Sequence, residues 1–349
     1  MTAPRTVSPT PDFRHLLAMT DARGTFEHAR LSEPRPANGY CTDDVARVLL
    51  VATRQPDPAP AIRDLARRSL RFLGDAQAPD GRYRNRLSRS GQWEDQPGLE
   101  DCWGRSVWAL GTAAAGAADG TMRTMAMAQF DRAARQRSPW PRAMAFAALG
   151  AAEVLTEWPD HAVARDLLMA VAAGMQRQAL QAEPALWPWP EERLRYANAV
   201  VPDAMIAAGA ALEKPRLLGD GLALLGWLLE HESSDGHLSV TPAGGAGPGD
   251  RRPGFDQQPI EVAALADACA RAAAVDRDPR WARGVTAAAA WFMGDNDGQR
   301  VMWDPATGGG FDGLHADRVN LNQGAESTLA LVATFQHAQA MRLLAGSSL

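Results

Sequence analysis

The sequence predicts an all-α protein in which twelve helices pair into six antiparallel hairpins and close into a ring, an (α/α)6 toroid. Three observations carry that expectation. Apolar residues recur with helical period along most of the 349 residues, and strand-like alternation is confined to short pieces around Tyr83, Leu238 and Met302. Connections alternate between brief and long, as they do when antiparallel hairpins are joined in series. An internal echo marks the repeat: Phe72-Leu73 precedes Asp80-Gly81-Arg82-Tyr83 by the spacing that separates Trp227-Leu228 from Asp235-Gly236-His237-Leu238, and more loosely Trp291-Phe292 from Asp297-Gly298.

Taken in order, the helices are expected near 12–20, 43–55 and 60–76, with Pro56-Asp57-Pro58 breaking the chain between the second and third. The next three fall near 101–118, 122–136 and 141–157, the last entered through Pro139-Trp140-Pro141. Those near 161–179, 198–212 and 216–232 follow, with Pro215 between the latter two. Helices near 258–274, 279–294 and 324–345 complete the set, and Asp278-Pro279 separates the first two of these. Ala, Leu and Arg fill them, in keeping with their propensities. The segments 56–59, 119–121, 158–160, 213–215 and 275–278 are short, whereas 77–100, 180–197, 233–257 and 295–323 are long. Long loops in a compact protein are usually functional. The first and last helices would complete one pair, so residues 1–349 are expected to form a single domain, with 1–11 as a flexible tail. An open helical solenoid fits less well, because the repeats are irregular and the loops lengthen on one face only.

Composition narrows the function. The chain is 46% hydrophobic and 22% charged, which suits a globular protein with a sizeable core, and its net charge of −5 argues against nucleic acid as a partner. Its basic residues are almost all Arg, with Lys214 the sole lysine. No secretory h-region or membrane-length apolar run is present, and Cys41, Cys102 and Cys269 form no CxxC pair. Reduced thiols in the cytoplasm are the expectation, with no membrane partner.

The chemistry concentrates just before alternate helices. Five clusters carry carboxylates or amides: Cys41-Thr42-Asp43-Asp44, Leu99-Glu100-Asp101-Cys102-Trp103, Tyr196-Ala197-Asn198, Asp256-Gln257-Gln258-Pro259-Ile260-Glu261 and Asn322-Gln323-Gly324-Ala325-Glu326. A sixth, Pro139-Trp140-Pro141-Arg142, has no acid. In a ring, alternate helix N-termini share one mouth, where free N–H groups and helix dipoles favour carboxylates. Capping accounts for Thr42 and Asp43 as readily as chemistry does; Asp44, one residue further in, is harder to explain as a cap. Aromatic residues accompany the acids, as expected where sugar C–H faces stack on rings and hydroxyls meet carboxylates and amides. Trp93, Glu100, Trp103 and Arg105 form one such group; Trp189, Glu191, Tyr196 and Asn198 another. Asp256, Gln257 and Gln258, then Trp303, Asp312, Asn322 and Gln323, repeat the theme. A core role for the indoles and a local ion pair for Arg105 stand as the structural alternative.

Other chemistries find little support. The glycine run Gly308-Gly309-Gly310 lacks the Lys and Ser/Thr of a phosphate loop, and no GxSxG elbow occurs. The seven His residues show no metal-ligand spacing with Cys or Asp, so neither metal nor cofactor is expected.

The motifs Gly39-Tyr40-Cys41-Thr42-Asp43-Asp44, Glu100-Asp101 with Gly104-Arg105 and Trp108-Ala109-Leu110-Gly111, Phe255-Asp256-Gln257-Gln258-Pro259 and Asn320 to Thr328 resemble a bacterial family of six-hairpin glycosidase-like proteins that often accompany glycosyltransferases. The resemblance spans roughly residues 38 to 335 and implies an (α/α)6 fold, a carbohydrate ligand and a glycosyltransferase as partner. The chain departs from the pattern at Asn38 and Trp103, where a His or similar polar residue is expected, at Val45, where Asn is expected, and at Ala197, where Asp is expected.

The sequence therefore supports a glycoside hydrolase acting on an oligosaccharide or glycoconjugate. Asp44, Asp101, Glu261 and Glu326 form the expected acid/base set, supported by Asp43, Glu100 and Asp256. Inversion is preferred, with carboxyl groups roughly 6.5–9.5 Å apart across a water. A non-catalytic sugar-binding or partner module is the alternative, motivated by Ala197. An epimerase on the same ring ranks last, because no His lies in the five acidic or amide clusters.

Overall fold

The computed structural model describes residues 10–179 and 187–346, and the side chains of all of these except 176–179 and 344–346. Among the described residues there are twelve α-helices: α1 (Arg14–Ala18), α2 (Thr42–Arg54), α3 (Pro60–Ala76), α4 (Asp101–Gly116), α5 (Gly120–Ala133), α6 (Pro141–Glu157), α7 (Ala162–Ala179), α8 (Val200–Ala211), α9 (Pro215–His231), α10 (Pro259–Val275), α11 (Arg280–Phe292) and α12 (Ala325–Gly346). The even-numbered helices form an inner ring, each packed on the next, and α12 closes it against α2. The odd-numbered helices form the outer layer. The structure is the (α/α)6 toroid that the alternating connections predict. Most of the expected flexible tail, residues 1–9, lies outside the described residues.

Each layer carries the pattern its surroundings demand. The outer α3 buries Leu65, Ala66, Ser69, Leu70, Phe72, Leu73 and Ala76 along one stripe and gives the rest to water. The inner α4 is buried continuously from Cys102 to Ala114, since it meets two ring neighbours, the outer layer and the bore. The sixth outer position is the exception. There α1 has only five residues, shorter than the helix near 12–20 that the sequence predicts, yet it still packs on α12. The strand-like pieces resolve into five two-stranded antiparallel ribbons of two residues per strand, including His237–Leu238 and Trp303–Asp304, while Tyr83 makes single bridges to Gln77 and Gly98. No helix among the described residues is long and apolar enough to cross a membrane.

Glycine sets the closest contact in the ring. A Cβ on Gly104 would run into the Ala143 carbonyl oxygen, one on Gly111 into that of Gly150, and one on Gly150 into that of Val107. Helices α4 and α6 thus meet backbone to backbone. Deeper in the bore, toward the C-terminal ends of the inner helices, charged groups interlock. Arg54 and His337 both reach Asp267 Oδ1, at 2.6 and 2.7 Å, and Arg271 links Asp203 at 2.6 Å to Glu153 at 3.1 Å. Burial alone would raise Asp267, but Arg54 and His337 hold it well below the usual carboxylate range.

These contacts make a stability prediction. Gly150→Ala forces α4 and α6 apart and should cost about 1–3 kcal/mol in urea unfolding. Gly219→Ala, on the exposed face of α9 with nothing within 4 Å of the new methyl, should instead stabilise by roughly 0.5–1 kcal/mol. Equal effects at the two sites would contradict the backbone-to-backbone packing.

Candidate active site

All six inner helices present their N-termini to one mouth, and the long loops that enter them build its walls. At the start of α2, Cys41 keeps an extended backbone, the Thr42 hydroxyl donates to the Arg84 carbonyl at 2.6 Å, and Asn85 Oδ1 accepts from the Asp43 N–H at 3.3 Å. One turn on, Arg47 donates to Asp44 Oδ1 and to Glu326 Oε2, both at 2.9 Å, joining the first and last inner helices. The two carboxyls differ sharply. The Asp44 side chain is only 4% exposed, and burial pushes it up to about 7 in spite of the arginine. The Glu326 side chain is 43% exposed. Desolvation in the mouth raises it, but Arg47, Arg105 and His28 outweigh that and hold it below its ordinary value.

Asp43 sits beside this clamp. Its Oδ1 lies 3.4 Å from Arg105 Nε and has no hydrogen-bond partner. Burial raises its pKa, with Arg105 and Arg47 pulling it down without cancelling the effect. Arg105 is itself buried, its guanidinium stacked 4.1 Å above the Phe146 ring. Across the mouth, the Tyr196 hydroxyl donates to Asp101 Oδ2. Arg142, buried at the head of α6, clamps the loop that carries Tyr196. It donates to the Tyr196 carbonyl and to Glu191 Oε1, both at 2.8 Å, and to Asn198 Oδ1 at 3.2 Å. A cleft of about 620 Å³ opens here, lined by Asp43, Glu100, Asp101, Trp140, Glu191 and Tyr196 among others. That volume suits a small-molecule site.

Glu261 has a different task. Its carboxylate accepts from the Ala197 N–H at 2.5 Å and from the Asn198 N–H and Nδ2, both at 3.1 Å. Burial and the charge of buried Glu232 raise its pKa. It therefore anchors the turn at Ala197, whose φ of +45° is left-handed, and presents little surface to a substrate.

Several residues expected to contact sugar also make contacts within the scaffold. Trp103 is fully buried with its indole N–H on the Ala133 carbonyl at 3.1 Å. Trp189 is buried against Trp227 and donates to Glu191 Oε2 at 3.3 Å. Trp93 packs on the edge of Phe72 and Trp303 on that of Phe335. Gln257 is buried, donating to Asp297 Oδ2 at 2.6 Å, and Gln323 is buried between Thr307 and Asp304. Asp312 accepts from the Gly324 N–H at 2.8 Å and the Ser327 hydroxyl at 2.9 Å, and Asn322 Oδ1 from the Leu31 N–H at 2.9 Å. Trp103, Trp189, Gln257 and Gln323 are buried, whereas Trp93, Trp303, Asp312 and Asn322 stay half-buried while they pack or bond to neighbouring segments. Asp256 and Gln258 are half-buried at the entrance to α10, and Asp256 Oδ1 has no hydrogen-bond partner.

The acid-free cluster supplies Trp140 and Arg142 to the mouth, and the structure adds Arg47, which carries a readable signal, its spacing of three from Asp44 on one helix face. Two histidines join from distant loops. His315 Nδ1 stands 3.6 Å from Asp256 Oδ1, and His28 Nε2 stands 3.6 Å from Glu27 and near Glu326, while burial raises the neighbouring Asp312. The acidic clusters contain no His, but the folded mouth does. Burial raises the Cys41 and Cys102 thiols above their ordinary range, so neither is a thiolate nucleophile at neutral pH. Glu27, Cys41 and Asp44 could in principle gather around a cation, with ligand atoms within 4.8 Å of one another. Arg86 and Arg47 already neutralise the two carboxylates.

No family model matches the chain, and no curated protein is similar to it in sequence. Solved structures are similar in shape. A cellobiose 2-epimerase from Spirochaeta thermophila superposes with a TM-score of 0.66 at 13% identity, covering 95% of this chain and 94% of its own. A D-mannose isomerase gives 0.68 at 10% identity over 94% and 95% of the two chains. An α-mannanase of glycoside hydrolase family 76 from Bacteroides thetaiotaomicron gives 0.61 at 11% identity over 88% of each. These structures share the (α/α)6 toroid with this chain.

The buried acids predict how stability responds to pH. Asp44 is raised from 3.8 to about 7 in the fold, so the unfolded chain releases that proton first. Its contribution is complete below pH 3.8 and is lost as pH climbs toward 7. Asp44→Asn should flatten the fall in Tm across this window; an unchanged pH profile would show that Asp44 stays ionised throughout.

Proposed function

We propose that this protein is a carbohydrate-processing enzyme that hydrolyses a glycosidic bond in an oligosaccharide or glycoconjugate. The observation that carries this reading is the opposite displacement of two carboxyl groups around one pair of arginines: Asp43 raised by burial, Glu326 held down by Arg47 and Arg105. Pairs whose surroundings push their protonation apart supply an acid and a base at the same pH. Asp43 is the proton donor to the leaving oxygen, and Glu326, the more exposed, is the base that activates water. Arg47 pairs with Glu326 and Arg105 lies against Asp43, and carboxyl groups set apart by such cations leave room for water, as inversion requires. Asp101, bonded to Tyr196, orients the sugar within the cleft. Of the carboxylates expected to do chemistry, Asp44 and Glu261 serve instead as anchors, because each is buried and already hydrogen-bonded. The free, buried thiols suit a cytoplasmic setting.

A second reading has its own observation. The placement of His28 near Glu326 and of His315 near Asp256 brings imidazoles to the mouth, as proton exchange at a sugar carbon in an epimerase or isomerase would require.

One screen separates the readings. The purified protein is incubated in D2O with mannose-, glucose- and galactose-based oligosaccharides and followed by proton NMR. Release of a sugar of inverted anomeric configuration supports hydrolysis. Loss of a C2 proton signal with the glycosidic bond intact supports epimerisation or isomerisation. Saturable binding without product supports a sugar-binding module, for a glycosyltransferase as partner, and makes Ala197→Asp the next variant. For the hydrolase, Asp43→Asn and Glu326→Gln should each lower kcat by roughly 10²- to 10⁴-fold. Activity should fall on the alkaline side as Asp43 ionises and on the acid side as Glu326 takes up a proton. Full hydrolysis by both variants would exclude this assignment.

A further inference from the structure

We infer that the cleft takes an oligosaccharide of at least two neutral sugar units, and that Trp140 is the platform on which the unit beside the reacting one stacks. This rests on the carbohydrate reading above and specifies the ligand of the same site. Trp140 is 56% exposed, yet it stands inside the cleft that holds Asp43 and Asp101. An indole in water gains nothing from packing, and the backbone that carries this one is firmly held. Pro139 and Pro141 fix the backbone on either side of it. The Trp140 N–H donates to Ser138 Oγ at 3.0 Å, and the Ser138 hydroxyl donates to the Leu99 carbonyl at 2.7 Å, tying the platform to the segment that carries Glu100 and Asp101. Holding the backbone beneath a large apolar ring fixed before binding reduces the entropy lost when a ligand lands on it.

Tyr196 is the second exposed ring in the cleft, 39% accessible, with its hydroxyl engaged by Asp101 and its face covered by Arg142 at 5.2 Å. Its free surface is therefore limited, whereas that of Trp140 is open. The cleft thus offers a polar end at Asp43, Asp101 and Tyr196 and an apolar ledge at Trp140. A sugar chain has matching parts: hydroxyls for the first and a C–H ring face for the second. Charge restricts the sugar further. Arg142 neutralises Glu191 and Asp43 holds its proton, leaving Glu100 and Asp101 against Arg195 among the charged groups that line the cleft. A uronate or a sugar phosphate would meet net repulsion there.

The test measures binding, so it does not depend on which reaction the enzyme performs. Isothermal titration calorimetry is run on the wild type, Trp140→Ala and Trp140→Phe with gluco- and manno-oligosaccharides of one to five units. Affinity of the wild type should rise from one unit to two or three. Trp140→Ala should bind the longer chains about tenfold more weakly and the single sugar unchanged, and Trp140→Phe should recover most of the loss. Wild-type binding with the length dependence intact in Trp140→Ala overturns the platform alone. Tighter binding of uronate-containing chains than of neutral ones overturns the assignment of a neutral ligand. Failure of the wild type to bind any of these sugars overturns the inference together with the carbohydrate reading.

Discussion

The bridge that Arg47 makes from Asp44 to Glu326 closes the ring and sets its chemistry. A toroid built from one chain has one seam where its two ends meet, and here α12 packs on α1 and α2 without a direct chain connection to either. Elsewhere in the ring small residues bring backbones together, as Gly104, Gly111 and Gly150 do for α4 and α6. At the seam polar groups add to the apolar packing of Leu50 and Val51 with Leu329, Ala330 and Ala333. Arg47 crosses it at the mouth, Gln336 Nε2 donates to the Val51 carbonyl at 2.9 Å within it, and Arg54 and His337 meet on Asp267 beneath it. Buried ion pairs add little net stability compared with good apolar packing, but breaking one partner leaves a buried charge exposed to a low dielectric. Such contacts penalise any register of α12 on α2 other than the native one.

The same arginine gives the mouth its uneven protonation. Six helix N-termini aimed at one opening favour negative charge there, and several acids have collected. They cannot all ionise in a confined space without cations among them. Arg47 and Arg105 supply that cationic charge, and the distance of each acid from them and from water fixes its state. Glu326, at the surface of the pair, stays ionised; Asp43 and Asp44, deeper, hold their protons further up the pH scale. An acid and a base at one pH thus follow from the depth of burial beside a shared pair of guanidiniums.

The ring was legible in the sequence because helical period and loop length are local properties. The mouth was legible as a location for the same reason, since each polar cluster precedes an inner helix. Which member of a cluster faces the ligand was not. Gln257, Asn322 and Gln323 stand in the same kind of motif as Glu326, yet they hydrogen-bond loop backbone or neighbouring side chains. Long loops that fold down into a mouth carry many backbone N–H and carbonyl groups that must be paired, and amides and short carboxylates do that work. Trp103 and Trp189 had the composition of sugar platforms but the burial of core residues. Arg47 was passed over because an arginine within an amphipathic helix reads as a solvated one. His28 and His315 were unreadable as site residues, because loops far apart in sequence bring them to the mouth only after the ring has closed.

Loop anchoring also decides which side of the mouth remains open. The segment around Leu31 is stitched to the entrance of α12 by Asn322 and by the Gln323 N–H, which donates to the Leu31 carbonyl at 2.9 Å, while the Ala325 N–H donates to the Glu27 carbonyl at 3.0 Å. These bonds cover the α12 side with ordered backbone. On the opposite side, between α4, α6 and the loop that enters α8, Arg142 and Glu261 hold their segments back from the centre and leave the cleft. The cleft thus opens beside Trp140, and Asp43 on its wall lies against Arg105. The buried acids that do no chemistry on this reading shape the opening, and Glu261 is the clearest case. By fixing the turn at Ala197 it holds both Tyr196 and Asn198, and through Asn198 the arginine that orders the cleft wall. The seam and the cleft are thus two results of one arrangement, with charged groups on inner helices holding loop backbone at fixed distances from the axis of the ring.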